Sequence, residues 1–152
     1  MEKIFENFVL SILKINKLIQ KIKQYEMREF DLKIVHVMCL YYLYEHSEGL
    51  TSSELMRLTY EDKAAISRAL KLLREKGFVE YDFDAYNAPV RLTENGEKVA
   101  EITIKKTDLA VEAGKAEFSE EERLFFYESL GKIADNLQKY YESLSNQTDG
   151  EQ

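Results

Sequence analysis

Lys63, Ser67, Lys71 and Arg74 follow one another at steps of 4, 4 and 3. On a helix this spacing puts them on one face. Cations and a hydroxyl in such a row suit a phosphate backbone and the edges of bases. Ala64 and Arg68 flank the face, and Ala64, Ala65 and Ser67 keep its first half slim enough for a major groove. Ala64 and Ser67 would approach base edges, and Lys63 and Arg68 could reach bases or phosphates. Lys71 and Arg74 would mainly neutralise phosphate. Ile66, Ala69, Leu70 and Leu73 form a separate apolar stripe for a core. Residues 61–76 carry five cations against three anions, in a chain of net charge -7. An ordinary amphipathic helix with a solvated charged face would show the same charges, so the neighbouring elements must decide.

Two other groups of residues could do chemistry. His36 and Cys39 lie one helical turn apart, a spacing that can supply two metal ligands. Two ligands do not make a site, and core packing accounts for both, so no metal and no cofactor are expected. Cys39, Tyr41 and Tyr42, with Met38 and Tyr44 beside them, could line a pocket for a small aromatic or lipophilic effector. They could equally form a tyrosine-rich junction between a core and its flanking helices. No glycine-rich phosphate loop, Ser/His/Asp arrangement or metal triad is visible, so an enzyme is not expected.

The elements that position these residues are mostly helical. The 152 residues contain one proline and six glycines. Residues 31–46 form an apolar-rich helix, closed by Gly49. Thr51 with Glu54 is a capping box that opens a short helix through about Leu58, and Thr59 with Asp62 is a weaker pair of the same kind. A longer helix, from about Tyr60 to Lys76, ends at Gly77. Thr51 and Ser52, at the N-terminus of the short helix, could also donate to phosphate. After Gly77 the period changes to alternation in 78–83. Residues 84–89 read as a turn and 90–92 as a returning strand, a two-stranded hairpin. Thr93 then caps a helix from about Glu94 to Ala113.

Long helices flank this unit. Phe5, Phe8, Ile12, Ile15, Ile19 and Ile22 make a heptad seam, and Phe126, Leu130, Ile133, Leu137, Tyr140 and Leu144 make another. Ser119 with Glu122 is the capping box that starts the second. The seams could pack on each other in one chain, or pair across a two-fold axis, which is the expectation here. The fold class is therefore mostly α, a single domain over 1–152. Residues 31–96 form a winged helix-turn-helix core with a short β-hairpin wing, and 2–24 and 97–145 form a helical dimerisation region. One cysteine excludes a disulfide framework. No apolar run approaches a membrane span or signal peptide, so a cytoplasmic protein without a membrane partner is expected.

Four stretches resemble the MarR family of bacterial and archaeal transcriptional regulators: residues 50–55, 66–70, 73–80 and 91–96. Their order and spacing, rather than any one motif, carry the resemblance. It implies a homodimer on a pseudo-palindromic operator, often tuned by small molecules bound between the dimer and DNA-reading regions. The family's wing usually carries an Asp-x-Arg signature, whereas here the stretch is Asp84-Ala85-Tyr86. Residues 80–94 hold four carboxylates and one cation, Arg91, which would repel phosphate. Arg91 could touch phosphate or pair with a neighbouring carboxylate. The reading is a homodimeric regulator that binds double-stranded DNA through its recognition helix. The alternative is a winged-helix protein-interaction module that does not bind DNA.

Overall fold

The computed structural model describes residues 2–82, 85 and 88–148, without the side chains of residues 2, 4, 5 and 146–148. The chain divides into two compact units, Met1–Ala110 and Val111–Gln152.

The first unit opens with α1 (Glu2–Glu26), followed by a 3-10 turn (Arg28–Phe30) and α2 (Ile34–Glu45). The helix read over 31–46 therefore starts three residues later than expected. Asp31 has a left-handed backbone at φ 51, and Leu32, although buried in the core, lies ahead of the helix. The helix-turn-helix consists of α3 (Ser52–Thr59) and α4 (Lys63–Glu75). Thr51 caps α3, with its box to Glu54 complete. The expected Thr59–Asp62 pair does not form: the Thr59 hydroxyl donates back to the Leu55 carbonyl at 2.7 Å. Instead Asp62 is itself the cap of α4, accepting from the Ala65 N–H at 2.7 Å. Tyr60, at φ 57, breaks the chain between the two helices, so α4 starts at Lys63 and not near Tyr60.

α4 ends as expected at Gly77, whose φ is 72. The Gly77 N–H donates to the Arg74 carbonyl and the Phe78 N–H to the Leu73 carbonyl, each at 2.9 Å. These bonds satisfy the carbonyls of the last turn. The wing pairs β1 (Val79–Glu80) with β2 (Arg91–Leu92), antiparallel, with Val79 opposite Leu92 and Glu80 opposite Arg91. It is shorter than the alternation suggested, and Phe83, Asp84, Tyr86 and Asn87 of the expected strand and turn lie outside the described residues. Leu50 adds an unforeseen bridge to Val90. Gly49, at φ 93, leads into that bridge, and a Cβ there would sit 2.7 Å from the Val90 carbonyl oxygen.

α5 (Glu94–Gly114) is capped by the Thr93 hydroxyl, which accepts from the Gly96 N–H at 3.0 Å and donates to the Gly77 carbonyl at 2.6 Å. One apolar core joins these elements. Met27, Leu40, Leu43, Leu55, Ile66, Leu73 and Val90 are among its members, each 2 % exposed or less. α2 packs on α4, α3 and β2, and α4 on α3 and β1. Burying each such side chain stabilises the fold by about 1.5–3 kcal/mol relative to exposing it. The orientation of α4 is thus fixed from behind by its Ile66–Ala69–Leu70–Leu73 stripe.

In the second unit, Ser119 and Glu122 form their capping box (2.9 and 3.2 Å) and start α6 (Glu120–Thr148). Phe118 stacks on Phe126, ring centroids 6.5 Å apart. No described helix is long and apolar enough to cross a membrane.

Candidate nucleic-acid interface

The apolar stripe of α4 is buried, and its other face is open. Lys63, Ala64, Ser67, Arg68, Lys71 and Arg74 are all exposed. One helix therefore brings together all six recognition-helix residues singled out above. Lys71 Nζ lies 4.0 Å from Glu75 Oε1, with both side chains well exposed. A surface pair of this kind contributes about 0.3–0.5 kcal/mol, too little to withhold the lysine from a phosphate. The Asp62 cap puts a carboxylate at the N-terminus of α4, where it offsets the positive end of the helix dipole.

Arg74 has a partner that its helical spacing did not show. Its guanidinium lies over the Tyr81 ring, 5.1 Å from the centroid. This cation–π contact ties the last turn of α4 to the residue that follows β1. An aromatic just after the first wing strand was the visible signal, but only the fold brings it under residue 74.

The remaining predicted contacts lie on other elements. Ser52 is exposed in the first turn of α3. Thr51 is half-buried, and both its N–H and its hydroxyl donate to Glu54 Oε2 at 2.8 Å. These hydrogen bonds hold the Glu54 carboxyl below the usual carboxylate range. The Thr51 proton donors are thus committed to the cap, leaving Ser52 as the freer donor at this helix end. Arg91 is exposed on β2, and the strand register sets Glu80 directly opposite. Opposite charges in that position support each other across the ladder. Glu80 and Asp82 share a shallow cleft with Tyr81, Ala88, Pro89 and Arg91.

The residues read as an effector pocket do not share one face. Cys39 is wholly buried, Tyr42 is half-buried against the core, and Tyr41 is exposed. Tyr41 and Tyr42 meet edge to face, 5.3 Å between centroids. Burial pushes the Cys39 thiol up to about 12, with the charge of Glu61 adding to the shift. The Tyr44 hydroxyl donates to Glu101 at 3.3 Å, and the charge of Glu101 raises its pKa.

Both histidines are used by the backbone. His36 Nδ1 accepts from the Lys33 N–H at 2.9 Å, and the His46 ring is 2.9 Å from the Tyr42 carbonyl oxygen. Burial depresses the His36 pKa, and Lys33 and Lys76 depress it further against the opposing pull of Asp31. Among the described residues no group of three His, Cys, Asp or Glu side chains gathers to hold a metal.

A capped supporting helix, a basic helix exposed along one face and a two-stranded wing define a winged helix-turn-helix. Residues 30–85 match the MarR family model. A Bacillus subtilis protein named as an uncharacterized HTH-type transcriptional regulator, YybA, is 24% identical over 131 residues, 84% of this chain and 87% of its own. The S. aureus MepR–DNA complex has the same fold at TM-score 0.78 and 22% identity, covering 86% of this chain and 97% of that one. A Listeria monocytogenes chain described as a MarR family transcriptional regulator complexed with 26mer DNA matches at TM-score 0.77 and 20% identity, over 91% and 93%. This chain thus has the winged helix-turn-helix fold of these solved regulators, and the family-model match falls on the helix-turn-helix and the start of the wing.

Proposed function

We propose that the protein is a sequence-specific reader of double-stranded DNA that regulates transcription as a homodimer. The carrying observation is the unbroken exposed face of α4, with four cations and two small residues set opposite a fully buried stripe. In this reading Ala64 and Ser67 approach base edges in the major groove, and Lys63 and Arg68 reach bases or phosphates. Lys71 and Arg74 neutralise phosphate, with Ser52, and to a lesser degree Thr51, donating at the end of α3. The DNA complexes among the structural relatives support this use of the fold. Arg91, exposed on β2, is the wing cation placed for a phosphate, and Glu80, opposite it in the strand register, competes for its charge. The homodimer is supported by the exposed apolar residues along α1 and α6, each taken separately. A protein that acts on the chromosome and keeps its one cysteine reduced and buried belongs in the cytoplasm. For a small aromatic or lipophilic effector, Tyr41 and Tyr42 are the accessible contacts, and Cys39 lies behind them in the core.

The test is DNA selected from genomic fragments, titrated at several salt concentrations. Lys71→Ala with Arg74→Ala should lower affinity at least about tenfold and reduce the salt slope by about 2, the loss of two phosphate contacts. Unchanged affinity and slope would overturn the reading.

A further inference from the structure

Tyr60 stands out twice. Its backbone is left-handed at φ 57, a region that costs a bulky residue energy and costs glycine none. Its side chain is 92% exposed, more than any other large hydrophobic residue of the described chain. The fold therefore gains almost no burial from the ring and bears the strain of its backbone. Glycine would make the same turn from α3 into α4 more cheaply. A strained position that holds the wrong residue for its backbone points to a use outside the fold.

The location says which use. Tyr60 is the C-cap of α3 and stands two residues before Asp62, the cap of α4. It is thus at the leading end of the helix whose exposed face carries Lys63, Ala64 and Ser67. An exposed aromatic side chain at that turn is placed to meet the strand that would border a groove holding α4. Its ring can lie on a deoxyribose and its hydroxyl can donate to a phosphate oxygen. Of the two acidic residues that follow it, Asp62 is turned to the Ala65 N–H as the cap of α4, and Glu61 is half-buried.

We infer that Tyr60 is a DNA-backbone contact, an uncharged phosphate donor that positions the N-terminal end of α4 in the groove. This rests on the DNA-reading function proposed above. It differs from the lysine and arginine contacts in one measurable way: a neutral donor displaces no counterion, so its loss weakens binding without changing the salt slope.

The experiment compares the full-length protein with Tyr60→Gly and Tyr60→Phe on the selected DNA, with thermal unfolding of each. Tyr60→Phe should keep the unfolding midpoint and lose about tenfold in affinity, the worth of one hydrogen bond to a charged group. Tyr60→Gly should lose at least as much affinity while its midpoint stays level or rises. Both should keep the wild-type salt slope. Wild-type affinity in both variants, or a fall in the Tyr60→Gly midpoint that shows the ring supports the fold, would overturn the inference. A wild-type protein that selects no DNA would overturn the function itself, and the two failures are told apart by that control.

Discussion

His36 shows how a residue with catalytic or metal-binding chemistry becomes a structural part. Its Nδ1 accepts the Lys33 N–H, one of the donors left open at the start of α2. Only an unprotonated nitrogen can do this. Burial and two nearby lysines push the pKa down, which keeps that nitrogen unprotonated near neutral pH. Folding therefore favours the neutral ring, and the unfolded chain binds the proton more readily. The His36 contribution is complete above the unfolded value of about 6.5 and declines as the pH falls below it. Urea unfolding should show stability dropping as the pH falls below about 6.5. Glu54 and Glu122, held low by their capping bonds, titrate below that window and do not confuse it. His36→Gln should flatten the decline even if it lowers stability at pH 7. The same slope in the variant would assign the proton elsewhere. Cys39 illustrates the same change of role, since a thiol raised to about 12 in a packed core offers no thiolate.

Among elements, what could be read from sequence was what is local. Thr51–Glu54 and Ser119–Glu122 form their boxes because both partners lie within one turn of chain. Gly77 stops α4 because glycine alone enters the left-handed region freely. Errors arose where conformation or distant packing decided. A tyrosine in a left-handed turn carries no sequence signature, so the spacing places the start of α4 near Tyr60, whereas Asp62 rather than Thr59 caps it and the helix begins at Lys63. The Arg74–Tyr81 stack was invisible because the two residues belong to different elements. Gly96 is the sharpest case. It lies in the first turn of α5, where nothing local demands glycine, yet a Cβ there would sit 1.8 Å from the Phe78 carbonyl oxygen. α5 is thus seated against the backbone at the root of the wing. Gly96→Ala must push the helix off that backbone, a cost of about 3 kcal/mol. In a thermal melt the variant should unfold well below wild type, while Gly114→Ala, with open space around it, should not. Equal midpoints for Gly96→Ala and wild type would refute the seating.

At the scale of the whole molecule, the net charge of -7 is unevenly spread. Residues 97–152 hold thirteen carboxylates against seven cations, and residues 61–76 are net positive. Non-specific binding to DNA should accordingly be modest, with affinity concentrated in α4. The apolar surface is uneven too. Along α1, Leu10, Leu13, Ile15, Leu18, Ile19 and Ile22 are all more than 40% exposed, and in α6 so are Leu137, Tyr140 and Leu144. A lone soluble chain seldom leaves such continuous apolar stripes in water, because the exposed area forgoes about 25 cal/mol per Å². A heptad seam on a free helix is answered most simply by the same seam of a second copy. Sedimentation at micromolar concentration should then give twice the chain mass of 17.8 kDa. Ile15→Glu with Ile19→Glu places charges inside the seam, and the mass should fall to one chain. DNA affinity should fall with it, because two linked half-site contacts become one and the effective concentration that couples them is lost. The double variant should still unfold cooperatively, since these positions lie outside the winged-helix core, with a midpoint lowered only by the lost dimer linkage. A wild-type chain that sediments as a monomer, or a double variant that stays dimeric, would exclude the α1 seam as the interface.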